Sequence, residues 1–167
     1  MTRRSPPLRP PSRPPAQPRH WLLKTEPDEF SIGDLERAGS EPWSGVRNYQ
    51  ARNFLRDGMR SGDGVLIYHS SCAEPGVVGV AHVASPPRPD PTQFDPRSEY
   101  HDGASREDAP RWWLVDIAHD RTLRRTIPLA ELHRVPALAG CGLLRRGNRL
   151  SVLPLTAREW RAILARE

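Results

Sequence analysis

The sequence predicts an α+β domain, built as a small curled sheet or barrel with a few short helices. Short apolar runs typical of strands recur along the chain, two capping signals mark helix starts, and 37% of the 167 residues are hydrophobic. This length suits one domain with its own core rather than two. Since every uninterrupted apolar run is far shorter than the ~18 residues of a membrane helix, we expect one soluble domain that makes no membrane contact.

Residues 1–19 differ from the rest of the chain in composition. They hold seven prolines, five arginines and no acidic residue, so they account for the whole formal charge of +5. Such a segment cannot pack a core. We therefore expect 1–19 to be a disordered Arg/Pro-rich tail and 20–167 to be the domain. No apolar segment follows the charged start, which predicts a cytoplasmic protein without a secretory signal.

The first strand and helix are predicted by an apolar run and a capping signal. His20–Thr25 is short and apolar, and Glu26-Pro27 ends it, as expected for a strand that enters a turn. Ser31 and Asp34 then form a capping box before a short helix, and Gly39 supplies its end.

A second helix is predicted from Asn48 to Met59 by helical spacing. Apolar or small residues fall at i, i+3, i+4, i+7 and i+8, which places them on one face: Ala51, Phe54, Leu55, Gly58 and Met59. Arg52 and Arg56 share a neighbouring face, which we expect to be more exposed.

Three further strands are predicted at Gly64–His69, Val77–Ala84 and Trp112–His119. The stretch between the last two, Ser85–Arg111, contains six prolines and reads as one long loop. Loops beyond about 12–15 residues are usually functional or disordered.

The C-terminal part is predicted to hold a helical turn, a strand and a helix. The turn is expected at Leu129–Val135 and the strand at Leu150–Leu153. Thr156 and Glu159 form a capping box for the final helix. Its apolar residues are expected to face inward: Trp160, Ile163 and Leu164.

The segment WSGVRNYQARNFL, residues 43–55, is the strongest candidate for a ligand site. An aromatic ring precedes a helix N-terminus, whose free N–H groups attract acceptors. Polar side chains able to read a base edge follow at Arg47, Asn48 and Asn53, while Trp21 and Tyr49 offer further planar surface. The alternative is that both tryptophans are core residues, and aromatic statistics alone favour it.

A second candidate lies at the end of the third strand, Tyr68–Cys72, where hydroxyl, imidazole and thiol groups cluster. A nucleotide-processing enzyme could use His69 and Ser70 there. However, no relay partner is set by spacing and no Gly-x-Ser-x-Gly elbow is present, so a structural cluster is favoured. A third hypothesis is an interaction module, in which the proline-rich tail recruits a protein partner.

Neither a metal nor a cofactor is expected. Cys72 and Cys141 are not in a zinc-binding spacing, and in a cytoplasmic protein they are expected to be free thiols. The sequence contains no glycine-rich loop of the kind that cradles phosphates.

Seven blocks together resemble the EVE domains, including the thymocyte nuclear protein type, which share the PUA-like fold with the YTH readers. The blocks run in order from residue 20 to the end: Trp21–Pro27, Trp43–Leu55, Tyr68–Ser70, Asp90–Asp95, Trp112–Ile117, Pro128–Leu132 and Arg149–Thr156. The resemblance implies a PUA-like curled β-barrel flanked by short helices, and a cavity that admits a modified base such as methylated or hydroxymethylated cytosine, flipped from DNA or RNA. It implies no catalysis.

The resemblance also implies which residues bind the ligand. Thr25 stands where many relatives have serine, so the hydroxyl is retained, and the Asp90–Asp95 loop is expected near the mouth. The expected pocket wall consists of Trp21, Lys24, Thr25, Glu26, Trp43, Gly45, Val46, Arg47, Asn48, Tyr68, His69 and Ser70.

Overall fold

The structure is a computed structural model that describes residues 19–167. All of the predicted tail, 1–19, except Arg19 lies outside this range, so its disorder and its protein partner stay predictions, as does the cytoplasmic location. Among residues 19–167, no helix is both long and apolar enough to cross a bilayer.

The described chain forms eight strands and four short α-helices. The strands are β1 (His20–Thr25), β2 (Ser40–Pro42), β3 (Gly64–His69), β4 (Gly76–Val83), β5 (Arg88–Pro89), β6 (Trp113–Leu114), β7 (Asp116–Pro128) and β8 (Val152–Leu155). The helices are α1 (Ile32–Ala38), α2 (Tyr49–Asn53), α3 (Leu129–Leu132) and α4 (Ala157–Leu164). A π-helical turn, Phe54–Gly58, continues α2, and three 3₁₀ turns lie at Pro91–Phe94, Pro136–Leu138 and Gly142–Leu144.

Six strands form one curled sheet in the order β2-β7-β4-β3-β1-β8, and β5 pairs with β6 in a separate ribbon. Within the large sheet β1 and β3 run parallel, with Thr25 opposite His69. Register shifts interrupt the pairing of β4 with both of its neighbours, and such bulges bend strands. Because β1 and β3 are parallel, both end at the same edge of the sheet. The predicted α+β class with a curled sheet is confirmed.

The core lies on both faces of the sheet. Side chains alternate along a strand, so Trp21 and Leu23 of β1 join one apolar cluster while Leu22 joins the other. Covered on both sides, β1 and β3 read as continuous apolar runs rather than alternating ones. This explains why their bounds are predicted to the residue.

Both predicted capping boxes are present. The Ser31 hydroxyl accepts a hydrogen bond from Asp34 N, and Asp34 in turn accepts from Ser31 N. Thr156 and Glu159 form the same reciprocal pair at α4. Within α4, Ile163 is fully buried, whereas Trp160 and Leu164 are only partly buried.

Where elements differ from prediction, the chain lacks a strong local signal. The strand predicted to end at His119 continues to Pro128 as β7, although five of the six residues from 120 to 125 are exposed and polar. The helix expected over 48–59 splits into α2 and the π-helical turn. Gly58 lies so close to the Trp21 ring that an added Cβ would meet it at 2.7 Å. The position therefore requires glycine for close packing.

Smaller differences affect the remaining elements. Strand β2 was not predicted, β4 is shifted by one residue, and β8 begins at Val152 rather than Leu150. The turn predicted over 129–135 is helical only at α3, and the supposed loop 85–111 contains β5 and a 3₁₀ turn.

Candidate functional site

A cavity of about 620 Å³ opens at the edge of the sheet where β1 and β3 end. Five segments that are distant in the chain surround it. They contribute Lys24, Thr25, Glu26, Glu29, Phe30, Glu41, Pro42, Trp43, Ser44, Gly45, Val46, Arg47, Ser70, Glu99, Tyr100, Arg149 and Ser151.

The ends of the two parallel strands form one side of the cavity. Ser70 N donates to Thr25 O at 3.0 Å, which extends the pairing of β1 and β3 by one residue. The Thr25 hydroxyl donates to Phe30 O at 2.7 Å and so fixes the turn that follows β1. On the other side of β1, Lys24 N donates to Ser151 O at 2.9 Å. Backbone hydrogen bonds therefore hold three segments of the lining together.

Lys24 brings a partly buried positive charge to the cavity. Its Nζ lies 5.7 Å from the centroid of the Tyr68 ring, within range of a cation–π contact. Burial lowers the pKa of Lys24, because a desolvated ammonium is disfavoured. A ligand acceptor bonded to Lys24 would compensate for this desolvation.

Trp43 is both a core residue and a wall of the cavity. Only 8% of its surface is exposed, and its ring meets Phe30 edge-on with centroids 6.1 Å apart. Its backbone N–H donates to Val115 O at 2.9 Å, which anchors the loop before α2. The two interpretations left open for this tryptophan, core and site, therefore both describe its position.

Gly45 and Tyr100 form a close contact on the next part of the wall. Gly45 has a φ of +84°, a conformation that L side chains rarely adopt. A Cβ built on it would lie 2.7–2.9 Å from three ring atoms of Tyr100. Glycine is thus required at this position for two reasons: it adopts this backbone conformation readily, and it leaves room for the aromatic ring of Tyr100.

A buried carboxylate, Asp90, supports this wall from behind. One of its oxygens accepts from Gly45 N at 2.8 Å and Arg47 Nη1 at 3.0 Å, and the other accepts from Thr92 N and Oγ1. Burial raises the pKa of Asp90, but the hydrogen bonds from Thr92, Gly45 and Arg47 outweigh it and hold the pKa below its ordinary value. The carboxylate therefore stays charged and organises the loop.

Arg47 connects the Trp43 loop to the long loop after β4. Its guanidinium donates to Tyr100 O at 2.8 and 3.1 Å and to the Thr92 hydroxyl at 2.9 Å, in addition to Asp90. It also lies 5.4 Å from the centroid of the Trp112 ring. With its donors engaged in this way, Arg47 acts as a clamp within the protein, although it borders the cavity.

The long loop is ordered by a buried glutamine. Gln93 is fully buried, and its Nε2 donates to Asp90 O at 2.6 Å and Trp112 O at 2.8 Å. Its Oε1 accepts from Trp112 N at 3.0 Å and from the Ser105 hydroxyl at 2.5 Å. These bonds fix the segment that carries Tyr100, and so a stretch predicted as a loop becomes a rigid wall.

Most charged groups at the cavity are carboxylates, which accept hydrogen bonds. Four glutamates border it, namely Glu26, Glu29, Glu41 and Glu99, against Lys24, Arg47 and Arg149. Because Arg47 is paired with Asp90, the remaining balance is acidic. Carboxylates of this kind can accept hydrogen bonds from amino groups of a ligand.

Eight of the twelve residues expected at the site line the cavity: Lys24, Thr25, Glu26, Trp43, Gly45, Val46, Arg47 and Ser70. The other four lie outside its lining. Trp21 is 2% exposed, and its Nε1 donates to the buried Asp63 at 2.9 Å, so it stands in the core. Asn48 caps α2, its side chain accepting from Ala51 N at 3.0 Å.

Tyr68 and His69 also have structural surroundings. Tyr68 is 3% exposed, and burial, with a smaller contribution from Cys72, raises its pKa to about 12. His69 Nε2 accepts a hydrogen bond from Ile32 N at 3.0 Å, and burial lowers the pKa of the imidazole. Both residues support the edge of the sheet from which Ser70 reaches the cavity.

Sequence reasoning did not identify several lining residues. Glu29 and Phe30 lie in the turn after β1, Glu41 in the unpredicted β2, and Tyr100 in the long loop. The length of that loop was a sign of function, but the expected mouth residues, 90–95, do not line the cavity. Instead Asp90 and its neighbours hold the wall from behind.

No resident metal is indicated in the part of the chain that the structure describes. Within residues 19–167, no group of three or more His, Cys, Asp or Glu side chains is arranged to hold a metal ion. Cys72 and Cys141 are free thiols, of which Cys141 is buried.

The curled sheet, its flanking short helices and the cavity at one edge define a PUA-like domain. The chain belongs to the EVE domain family, which matches residues 19–166. It is 41% identical to human thymocyte nuclear protein 1 over 166 aligned residues, covering 89% of this chain and 73% of that protein. An uncharacterised Schizosaccharomyces pombe protein is 34% identical, with 87% and 66% covered.

Solved structures agree with this assignment. A Pseudomonas syringae protein superposes with a TM-score of 0.85 at 47% identity, over 89% of this chain and 99% of the other. Human thymocyte nuclear protein 1 in complex with DNA containing 5-methylcytosine gives a TM-score of 0.80 at 40% identity, over 88% and 96%. The family prediction made from the seven sequence blocks is confirmed.

Proposed function

We propose that this chain is a reader of modified nucleobases in DNA, which holds a base such as 5-methylcytosine in the cavity beside Trp43. The observation that carries this proposal is the cavity itself. Its volume of about 620 Å³ lies in the range of small-ligand sites, about 300–1,000 Å³. A base reaches such a site by flipping out of the stack. The DNA complex of the 40% identical human relative supports this choice of ligand.

The lining combines planar surface with hydrogen-bonding groups. Trp43, Phe30 and Tyr100 offer aromatic surface, and stacking on such rings contributes about 1–3 kcal/mol per base. Glutamates accept hydrogen bonds from the exocyclic amino group of cytosine, and four of them border the cavity. The methyl group of 5-methylcytosine adds only about 0.8 kcal/mol, or roughly fourfold in affinity. We therefore expect the amino group to contribute more to selection than the methyl group.

The separate contributions of the amino group and the methyl group can be tested with three bases in otherwise identical single-stranded DNA. Cytosine lacks the methyl group, and thymine has the methyl group but lacks the amino group. We expect 5-methylcytosine to bind about fourfold better than cytosine. It should bind roughly 10- to 100-fold better than thymine, because a hydrogen bond to a charged group contributes about 1.5–3 kcal/mol. Equal affinity for all three bases would refute the proposal, and the same bases in RNA show whether the sugar matters.

A substitution at an exposed position of the lining shows whether the cavity is the binding site. Trp43→Ala is unsuitable, because truncating a buried tryptophan costs about 3–5 kcal/mol. Ser44 is exposed and lines the cavity, so Ser44→Trp should obstruct the cavity while the protein stays folded. Ser61→Trp, in an exposed turn outside the lining, is the matched control. Loss of base preference only in Ser44→Trp is expected, and unchanged preference would exclude this cavity.

The absence of catalysis is part of the same proposal. The enzyme hypothesis needs His69 to activate Ser70. His69 Nε2 is already bonded to Ile32 N, and within residues 19–167 no hydrogen bond joins His69 to Ser70. A modified nucleoside incubated with the protein should be recovered unchanged. Turnover that disappears in His69→Ala would instead favour an enzyme.

A further inference from the structure

Eleven of the twenty arginines within residues 19–167 form an ion pair with an acidic residue, and three of the nine that form none lie together in one turn. Exposed Arg106, for example, pairs with Asp108 at 2.7 Å. Arg145, Arg146 and Arg149 are exposed as well, yet none of the three forms an ion pair within residues 19–167. We call residues 145–149 the arginine turn. Its three positive charges are free to meet an external anion.

The backbone of the arginine turn is held in place by its own hydrogen bonds. Asn148 N donates to Arg145 O at 3.1 Å, and the Asn148 side chain donates to Gly142 O at 2.6 Å while accepting from Leu150 N at 2.9 Å. Gly147 takes a φ of +77°, which lets the chain reverse. Since the backbone is ordered beforehand, binding through these side chains loses less conformational entropy.

The arginine turn leads directly into the cavity. Arg149 is itself part of the lining. Leu150 packs against the apolar clusters on both faces of the sheet. Ser151 O then accepts the hydrogen bond from Lys24 N at 2.9 Å. The turn that contains Arg145 and Arg146 therefore adjoins the lining through Arg149.

The chemistry and spacing of these groups fit a phosphate backbone. A guanidinium binds phosphate through two parallel hydrogen bonds. The hydrogen bond from Asn148 N to Arg145 O closes a turn whose ends lie within about 7 Å of each other, about the axial rise of two phosphates of one strand at ~3.4 Å each. A base that enters the cavity leaves its own flanking phosphates at the mouth. A phosphate-binding surface is needed at this place if the cavity takes a flipped base.

We propose that the arginine turn binds the phosphates of the strand whose base enters the cavity. This inference rests on the proposed reader function and adds the surface that holds the backbone. Phosphate contacts fix position but carry little sequence information. The turn therefore contributes affinity, while the lining selects the base.

Salt dependence of DNA binding, measured on the full chain, tests this proposal. Each phosphate contact adds about 0.7–0.9 to the slope of log K against log salt. R145A/R146A leaves the lining intact and should lower the magnitude of the slope by about 1.4–1.8. Its affinity loss between 50 and 200 mM salt should then be roughly 7- to 12-fold smaller than that of wild type. The preference for 5-methylcytosine over cytosine should not change.

R158A/R161A is the matched control, since it also removes two exposed, unpaired arginines of the described chain. These residues lie on α4, whose Trp160 packs on His20 at the start of β1, whereas the cavity lies at the end of β1. The control should keep the wild-type slope. An equal drop in both variants would mean a general charge effect and overturn the proposal, as would an unchanged slope in R145A/R146A. Failure of the reader function is separate, because it appears as absent base preference in the wild type.

Discussion

Replacing Gly45 by alanine should disturb the wall of the cavity. The new methyl group would lie 2.7–2.9 Å from three ring atoms of Tyr100. The backbone at this position also has a φ of +84°. Because the carbonyl of Tyr100 holds the guanidinium of Arg47, displacing the ring transmits the change to the clamp between the two loops.

Two contributions set the expected size of the effect. A non-glycine residue in the left-handed region costs about 1–2 kcal/mol. Overpacking against the ring costs typically about 1–3 kcal/mol. A combined loss near 3 kcal/mol lowers the Tm of a domain of this size by roughly 6–12 °C, at about 2–4 °C per kcal/mol. Binding of 5-methylcytosine DNA should weaken even at temperatures where the variant is folded, since Tyr100 is part of the lining.

Gly62→Ala separates the two contributions. Gly62 has a φ of +95°, but nothing lies within 4 Å of an added Cβ. This control should lose only about 1–2 kcal/mol and keep full binding. In the double variant Gly45→Ala/Tyr100→Ala the two changes should be less than additive, because the second removes the clash. If thermal unfolding and DNA titration gave the same values for Gly45→Ala and Gly62→Ala, the role assigned to the Tyr100 contact would be wrong.

Two further predictions concern charged groups. Asp90→Asn should lose about 2–4 kcal/mol at pH 7 through weakened hydrogen bonds. The pKa of Asp90 is lowered in the folded protein, so the difference in stability between Asp90→Asn and wild type should shrink as the pH falls below about 4. Urea unfolding at pH 7 and at pH 3 measures this difference. An equal difference at both pH values would contradict the prediction. Lys24→Met should raise stability while weakening DNA binding, since it removes a partly buried ammonium. The pKa of Lys24 is lowered on folding, so the stability of wild type should approach that of the variant as the pH rises through the lowered pKa. A difference in stability between the two proteins that stays constant to pH 10 would argue against this role of Lys24.

The elements that could be predicted are those with a strong local signal. The bounds of β1 and β3 follow from apolar runs that are buried on both sides. The starts of α1 and α4 follow from capping boxes, in which both partners lie within three residues of each other. By contrast, the second half of β7 is exposed and polar, and only pairing with β4 makes it a strand. Propensity cannot show this, because the partner is distant in the chain.

The candidate site shows the same distinction between local and distant contacts. The resemblance gave the Trp43 segment and the ends of β1 and β3, whose residues line the cavity. The resemblance did not show that Arg47, which borders the cavity, acts as a clamp whose donors are engaged within the protein. Nor did it separate Trp43 from Trp21: one lines the cavity and the other donates to Asp63 in the core. Both are tryptophans in matching blocks, and only their neighbours differ.

The sequence by itself determined the family and the elements stabilised by contacts within a few residues. The tertiary structure decided how the cavity is enclosed. Tyr100 and Arg149 lie far from Trp43 in the chain. Arg149 shares its cavity because β8 pairs with β1, and Tyr100 does so because its carbonyl accepts hydrogen bonds from Arg47. Pairing and packing between distant segments depend on the whole fold, and for that reason the walls of the Trp43 cavity could be assigned only from the structure.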